Sequence, residues 1–370
     1  MKKILFTSHV ANFSKFNWPL MEWFQKQGWE VHYASLDEEE IPCCDRHFQV
    51  SFHRSPYSLN NVKAYFQLKK IISQEKYHII HCHTPMGGVV TRLAASDTRR
   101  KGTKVLYTAH GFHFYQGAPV SYWLLYYPVE KILSYITDCI ITLNEEDYQI
   151  AKKRFHSQYT EKISGAGVDL DRFHPVGKEE KIKLRQAQGI PEKAFLLLYT
   201  AEFIPRKNHI FFIQNIPFLK EHIPELKVIL LGKGQTLEAC RQLVQQLGLS
   251  DTVFFLGYRK DVEHFCQAAD LVVSVSKQEG LPVNLLEGMA TGLPVVCTKI
   301  RGQVDLIEDG ENGFLFPVNN AQAFRQAILR IYCDTKFQEK IGNNNRIKAQ
   351  KYSKEDAVSQ MAEIYFPFME

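Results

Sequence analysis

The feature that most constrains the fold of this chain is a pattern of short apolar strands and helical segments that runs through the first part and then starts again. Segments with helical periodicity at residues 16–27, 62–75 and 122–136 separate the first strands. Several strands are continuous apolar runs without polar alternation, which is typical of parallel sheets covered on both faces. The first set of strands is predicted at residues 3–8, 31–35, 48–52, 78–83, 104–110 and 139–144.

The repetition predicts an α/β protein with two Rossmann-like, doubly wound domains, and a length of 370 residues suits two domains. We place them at residues 1–165 and 166–350, joined near residues 165–192. In residues 351–370, a last helix (353–365) follows the second sheet and is expected to cross back to the first domain. The second set of strands is predicted at residues 195–200, 227–231, 253–256, 271–276, 294–298 and 313–316.

Composition excludes several classes of protein. With 45% hydrophobic and 23% charged residues, the chain has the balance of a folded enzyme. No apolar run approaches the roughly 18 residues that span a bilayer, and the apolar run after Met1-Lys2-Lys3 is too short for a signal peptide, so we expect a cytoplasmic protein. Eight cysteines are too few for a disulfide framework.

The net charge of +5 lies entirely in residues 1–165, which hold 20 Lys and Arg against 15 Asp and Glu. No basic repeat with interleaved aromatic residues or nucleic-acid-binding module is present, so we expect no nucleic-acid partner. The excess fits an anionic substrate, the negative inner leaflet of a membrane, or an ordinary solvated surface, and the sequence leaves these open.

In doubly wound folds, ligands bind at the carboxyl ends of the strands. After the strand ending near Ser276, the amides of Gly280, Leu281 and Val283 would point from a helix N-terminus and suit a diphosphate. Glu279 in the same turn suits sugar hydroxyls better than an anion, and Glu287 lies about two turns into the helix. The alternative is a capping turn with solvated acids.

Two further positions follow strands in the same way. Arg206 and Lys207 come after the first strand of the second domain, where cations can bind a diphosphate or simply form a surface pair. His110 follows the fifth strand of the first domain, where it could contact a hydroxyl, transfer a proton or be structural. His81 and His83 lack a third ligand with a telling spacing, so we predict no metal site.

The residues between Phe112 and Pro128 are dense in aromatic side chains. Two interpretations remain open: the segment packs on its sheet, or it binds a lipid-linked acceptor at a membrane interface.

Several motifs of the sequence occur together in one known family. They are Glu279 and Glu287 within the 276–287 segment, residues 270–276, Gly292-Leu293-Pro294, Asp309-Gly310-Glu311-Asn312-Gly313 and Gly167-Val168-Asp169. With these motifs, the chain resembles the family 4 (group 1) retaining glycosyltransferases of GT-B fold, and the resemblance covers nearly the whole sequence. Two N-terminal segments, residues 109–114 and 81–85, resemble the bacterial capsule, exopolysaccharide and O-antigen subgroup.

This resemblance implies two facing domains with a central cleft. The first would bind a polyprenyl-diphosphate-linked saccharide at the inner face of the membrane, making the enzyme peripheral there. The second would bind a nucleotide-diphosphate sugar, most commonly a UDP-sugar, without metal or other cofactor. A hexose or N-acetylhexosamine would be transferred with retention, and no protein nucleophile would be needed.

By position, the resemblance assigns Glu279 to the donor sugar, Glu287 to the ribose, Lys207 to the diphosphate and His110 to the sugar near the reacting centre. The family often has Gly-Arg at the positions of Ala201 and Glu202, and whether Arg206 compensates stays open. Two alternatives are a sugar-nucleotide epimerase of the same fold and a non-catalytic sugar-nucleotide-binding protein. An oxidoreductase is disfavoured because residues 7–12 lack the GxGxxG pattern.

Overall fold

The computed structural model describes residues 1–369. The chain divides into two compact units, each built on one parallel sheet. The first unit consists of Met1–Ala166 together with the chain from Glu355 onward, and the second is Gly167–Lys354.

The first unit contains seven parallel strands in the order β3-β2-β1-β4-β5-β6-β7. The strand order reverses between β1 and β4, and these two strands pair in register with Phe6 opposite His81. The strands are β1 Lys3–Thr7, β2 Glu30–Ser35, β3 Arg46–Gln49, β4 Ile79–His83, β5 Lys104–Ala109, β6 Cys139–Thr142 and β7 Tyr159–Lys162. The helices between them are α1 Trp18–Lys26, α2 Asn60–Glu75, α3 Pro85–Arg99, α4 Val120–Ser134 and α5 Glu145–Arg154.

The second unit contains six parallel strands in the order β10-β9-β8-β11-β12-β13, with the reversal between β8 and β11. The strands are β8 Phe195–Thr200, β9 Leu226–Leu231, β10 Val253–Gly257, β11 Leu271–Ser274, β12 Val295–Thr298 and β13 Phe314–Phe316. The helices are α6 Lys178–Ala187, α7 His209–His222, α8 Leu237–Gln246, α9 Val262–Ala268, α10 Val283–Ala290, α11 Gln303–Leu306, α12 Ala321–Cys333 and α13 Thr335–Ala349.

The apolar strands form the cores. In the second unit, alternate residues of β8 enter two clusters on opposite faces of the sheet, with Leu197 and Tyr199 in one and Leu196 and Leu198 in the other. All four are essentially inaccessible, as expected for a parallel strand covered on both faces. Because both faces of the sheet are covered by apolar clusters, polar side chains can collect only at the ends of the strands.

The last helix, α14 Lys354–Tyr365, ends in the core of the first unit. The Tyr365 hydroxyl lies 2.5 Å from Nδ1 of His81, and its ring packs edge-on against Phe24 at 4.7 Å between centroids. Along the described part of the chain, no helix has both the length and the apolarity needed to cross a bilayer.

Three local details differ from the sequence-based expectation. The third strand is Arg46–Gln49 instead of residues 48–52. Val50 and Phe52 are apolar and buried, as strand residues would be, but they lie just after the strand ends. The short polar edge strand β7 was not predicted. The segment expected to be a linker contains α6, whose Arg185 reaches inward to Asp270 at 2.6 Å.

Candidate functional site

In the second unit, the predicted donor-site residues lie on the chain that leaves β8 and β11, the two strands where the order reverses. This is where open α/β sheets bind ligands. The loop after β9 packs closely against the segment that follows β8. A Cβ added to Gly232 would lie 2.0 Å from the Ala201 carbonyl oxygen. Only glycine therefore allows this close backbone approach.

Lys207, Arg206 and Glu279 form one charged cluster. Lys207 Nζ donates to Glu279 Oε1, and Arg206 Nη1 lies 3.6 Å from Glu279 Oε2. The side chains of Glu279 and Lys207 are 7% and 13% exposed, whereas that of Arg206 is 41% exposed. Burial alone would raise the pKa of the Glu279 carboxyl, but the charges of Lys207 and Arg206 lower it below its usual range. The cluster therefore holds an ionised carboxylate between two cations.

Backbone contacts fix the two cations in place. The Tyr199 hydroxyl donates to the Lys207 carbonyl oxygen at 2.7 Å, and the Lys277 amide donates to that of Arg206 at 2.7 Å. Tyr199 comes from β8 and Lys277 from the turn after β11. Both arms of the cluster are thus tied together by hydrogen bonds before any ligand binds.

The turn before α10 is held from the other side by the loop after β12. Arg301, which is 6% exposed, donates from Nε to the Glu279 carbonyl oxygen at 3.1 Å. A Cβ on Gly302 would lie 2.1 Å from the Gly280 carbonyl oxygen. Pro282 is the N-cap of α10. The helix begins at Val283, whose amide, like the others of a first turn, has no acceptor within the helix.

Glu287 lies in α10 and is partly buried. Burial raises the pKa of its carboxyl to about 7, with nearby Arg172 lowering it and Glu263 raising it further. The carboxyl can therefore change its charge near neutral pH, unlike that of Glu279.

His110 belongs to the first unit, where it joins His83 and His81 in a buried cluster. His83 Nδ1 lies 3.1 Å from His110 Nε2, and the rings of His81 and His83 are 4.2 Å apart. Burial lowers the pKa of His110 to about 4, and burial together with His110 lowers that of His81 to about 3. These imidazoles are neutral at pH 7, so His110 can contact a hydroxyl without carrying a charge.

The aromatic segment combines features of both interpretations. Phe112 and Phe114 are buried and stack at 4.8 Å, and Trp123 packs on Phe114. Val120 and Leu124, by contrast, are each 73% exposed. Its inner side is thus core, and its outer side presents apolar side chains.

Among residues 1–369, one group of three side chains has the spacing to hold a metal ion: Glu30, His32 and Glu75. Lys3 Nζ lies 3.2 Å from Glu30 and 2.8 Å from Glu75, so a protein cation is already paired with both carboxylates. In the segment predicted to join the two domains, the carboxylate of Asp169 forms an ion pair with Lys354 at 2.8 Å. Neither place has the free carboxylates of a divalent-cation site.

The predicted residues therefore lie in two sets. Arg206, Lys207 and Glu279 come together in the second unit, with the Gly280 turn and Glu287 on α10, and His110 lies in the first. Sequence reasoning missed Arg301 and Tyr199. Tyr199 looked like an ordinary strand residue, but a charged Arg301 directly before Gly302, one turn after a buried strand, is a signal that could have been read.

Two family models match the chain. Residues 180–348 match "Glycosyl transferases group 1", and residues 3–144 match "Glycosyl transferase 4-like". The chain is 44% identical over 371 residues to the putative glycosyltransferase EpsD of Bacillus subtilis, covering 100% of this chain and 97% of that protein. It is 28% identical over 281 residues to an Escherichia coli UDP-Gal:α-D-GlcNAc-diphosphoundecaprenol α-1,3-galactosyltransferase, covering 75% and 72%.

Solved structures share the fold at low sequence identity. Anabaena HepE in complex with UDP and glucose has a TM-score of 0.81 and 20% identity, covering 98% of this chain and 99% of that one. WaaG, a glycosyltransferase of lipopolysaccharide biosynthesis, has a TM-score of 0.79 and 17% identity with the same coverage. Both are GT-B glycosyltransferases, which confirms the predicted fold class.

Proposed function

Because the chain belongs to the group 1 glycosyltransferases, we propose that it transfers a hexose or N-acetylhexosamine from a UDP-sugar to a polyprenyl-diphosphate-linked saccharide, with retention of anomeric configuration. One relative, CapM of Staphylococcus aureus, is named as a glycosyltransferase of capsular polysaccharide biosynthesis. In the proposal, the second unit binds the nucleotide sugar and the first binds the acceptor.

The observation that carries the proposal is the Lys207–Glu279–Arg206 cluster beside the start of α10. Two cations and the first-turn amides of a helix suit the two phosphates of a nucleotide sugar. Glu279 is an acceptor of hydrogen bonds only, and sugar hydroxyls can donate to it. Lys207 would then exchange its contact with Glu279 for one with the diphosphate.

The same residues would act on the leaving group. As the bond between the anomeric carbon and the diphosphate oxygen breaks, negative charge grows on the nucleotide diphosphate. Lys207, Arg206 and the amides of Gly280, Leu281 and Val283 would stabilise that charge. The acceptor hydroxyl would attack the anomeric carbon from the face of the leaving group and give its proton to the departing phosphate oxygen. Neutral His110 would contact the sugar near the reacting centre.

For the acceptor, the name of the Escherichia coli relative supports a saccharide linked to a polyprenyl diphosphate. A substrate of this kind lies in a membrane, so the proposed enzyme would work at the inner membrane surface. The basic excess of residues 1–165 supports the same assignment.

The test has two stages. A thermal-shift panel of nucleotide sugars identifies the donor, since a specific ligand raises the melting temperature, and at equal concentration a tighter ligand raises it more. The selected donor is then incubated with a GlcNAc-diphospholipid acceptor, and the product is isolated for determination of its anomeric configuration by NMR. Glu279→Gln should abolish most of the transfer, whereas Glu311→Gln, an exposed control, should not.

Three outcomes would overturn the proposal. Conversion of UDP-GlcNAc by the protein alone would indicate an epimerase. Binding of a nucleotide sugar without turnover on any lipid-linked acceptor would indicate a non-catalytic binding protein. A product with inverted anomeric configuration would contradict the retaining mechanism but would still be the product of a glycosyltransferase.

A further inference from the structure

The outer surface of the first unit carries large apolar side chains on two helices. At the start of α2, Leu59, Val62 and Phe66 are 83%, 54% and 64% exposed. On α4, Val120, Leu124 and Ile132 are 73%, 73% and 67% exposed. The spacing within each helix is three, four or a multiple of four residues, so each set lies along one side of its helix. We call these six residues the apolar face.

The two helices belong to one continuous layer. Helix α2 packs against α3, and α3 packs against α4. Leu93, on the intervening helix, is itself 44% exposed. One layer of helices therefore exposes several large apolar side chains, and exposed apolar patches are typical of sites of association.

The stretch of chain that carries the apolar face is strongly basic. Residues 46–130 contain eleven Lys and Arg against three Asp and Glu, a net charge of +8 that exceeds the +5 of the whole chain. Neither residues 46–74 nor residues 98–129 contain a carboxylate. Exposed Lys63 and Lys70 fall on the same side of α2 as Val62 and Phe66.

The three acidic residues of this region are already paired. Glu75 is bonded to Lys3 at 2.8 Å and Asp97 to Lys69 at 2.9 Å. The third, Glu130, is bonded at 2.8 Å to Arg92 inside the unit, and it is the single acid of α4. The face therefore presents apolar groups and unbalanced positive charge to the solvent.

We propose that this apolar face binds the surface of a membrane rich in anionic lipids, with its aliphatic and aromatic side chains inserted among the headgroups and acyl chains. Apolar side chains flanked by Lys and Arg are the chemistry of interfacial binding. Self-association through the same face would bring two strongly positive surfaces together, which Coulomb repulsion disfavours. This inference rests on the proposed function in one respect: the proposed function explains why the protein would bind a membrane, since the membrane holds the lipid-linked acceptor.

The experiment is flotation of the full chain with vesicles of phosphatidylcholine alone and with vesicles of equal parts phosphatidylcholine and phosphatidylglycerol. The wild type should float with the mixed vesicles and much less with the neutral ones. Ile132→Glu should reduce partitioning into the mixed vesicles by about tenfold or more, because burial of an Ile side chain is lost and a negative charge is added. The double change Lys63→Glu/Lys70→Glu should reduce it as well.

A closely matched control exists in the second unit. Ile347 is 69% exposed on α13, against 67% for Ile132 on α4. Ile347→Glu should leave flotation unchanged. Equal losses from Ile132→Glu and Ile347→Glu, or no flotation of the wild type with either vesicle, would overturn the proposal. A wild-type dimer that Ile132→Glu converts to a monomer, with flotation unaffected, would assign the face to a second copy instead.

UDP affinity, measured by calorimetry on the same preparations, separates this proposal from the proposed function. Ile132→Glu should bind UDP as the wild type does, since Ile132 is no part of the donor site. Flotation of the wild type without UDP binding would contradict the proposed function but would support the proposal that the apolar face binds membranes. UDP binding without flotation would contradict the membrane proposal and leave the proposed function standing.

Discussion

The two units have sheets of the same kind, with the strand order reversing once in each, yet they place opposite chemistry at the strand ends. The second unit gathers formal charges: Lys207 and Arg206 around an ionised Glu279. The first gathers His81, His83 and His110, whose pKa values burial lowers until all three are neutral at pH 7. The strand ends of the second unit thus hold formal charges, and those of the first hold neutral rings.

The difference follows from what each site would handle in the proposed reaction. Cleavage of a nucleotide sugar adds negative charge to the departing nucleotide diphosphate, and preorganised cations stabilise that charge without reorganisation. In the first unit, the proposed partner is a neutral saccharide hydroxyl, and a neutral imidazole can either donate a hydrogen bond to it or accept one from it. Similar sheets therefore support unlike sites because the residues after each strand, not the strands themselves, determine the chemistry.

Removal of a charge from the second unit should have the largest effect. Lys207→Ala should lower the transfer rate by about 10²–10³-fold, the usual result of deleting one group that stabilises transition-state charge. It should also destabilise the protein by about 3 kcal/mol, because Glu279 loses the closer of its two cations while buried. Turnover by release of UDP and unfolding in denaturant measure the two effects.

The double variant Lys207→Ala/Glu279→Gln separates the two roles. Its stability should return close to that of the wild type, because no unpaired buried carboxylate remains, while its activity should stay lost. The exposed pair Lys220–Asp251, 2.9 Å apart, is the control. Lys220→Ala should change stability by less than about 1 kcal/mol and leave turnover intact. A fully active double variant would contradict the assignment of Lys207.

Adding charge to the first unit is the converse experiment. In the unfolded chain a histidine takes up a proton as the pH falls below about 6.5, whereas folded His81 remains neutral down to about 3. The free energy of unfolding should therefore fall as the pH drops from about 6.5 towards 4. Each such histidine contributes a slope of about 1.4 kcal/mol per pH unit, and none of it appears above pH 7.

His81→Asn tests this slope. Whatever its effect on stability at pH 7, the variant should lose about one proton's worth of the dependence between pH 6 and pH 4, as measured by denaturant titrations at each pH. His53→Asn, a change at an exposed histidine of the same unit, should keep the full slope. An unaltered slope in His81→Asn would mean that this ring does not stay neutral in the folded protein.

In both units, the sequence could predict the buried strands but not an exposed strand at the edge of a sheet. Both sheets and the positions of nearly all their strands follow from runs of buried apolar residues, since a parallel strand covered on both faces must be apolar throughout. Strand β7, with the sequence Tyr-Thr-Glu-Lys, lies at the edge of its sheet and is largely exposed. Nothing in its composition distinguishes it from a loop.

The site was predictable only where one short stretch of sequence holds it together. The turn from Glu279 to Val283 could be inferred from its glycine, its proline and the helix that follows. The contact of Lys207 with Glu279 joins residues 72 positions apart, and that of Arg301 with Glu279 comes from a third strand end. Such contacts depend on strand order, which periodicity does not reveal.

Arg301 gives the smallest expected effect and sharpens the comparison most, because it tests whether positive charge alone makes the second unit's site. Its Nε donates to the Glu279 carbonyl oxygen, so we expect it to position the turn that carries the amides proposed to bind the donor. Arg301→Ala should weaken UDP binding by about tenfold, in line with the 1.5–3 kcal/mol that a hydrogen bond from a charged group contributes.

Arg301→Lys decides between position and charge. Lysine keeps the positive charge but lacks the guanidinium geometry, so a positioning role predicts that it weakens UDP binding nearly as much as alanine does. Calorimetry on protein whose thermal unfolding is checked first provides the measurement, and Arg259→Lys, at an exposed arginine paired with Asp261, provides the control. Wild-type affinity in Arg301→Lys, with a loss in Arg301→Ala, would show that charge suffices and that the turn holds its shape without this hydrogen bond.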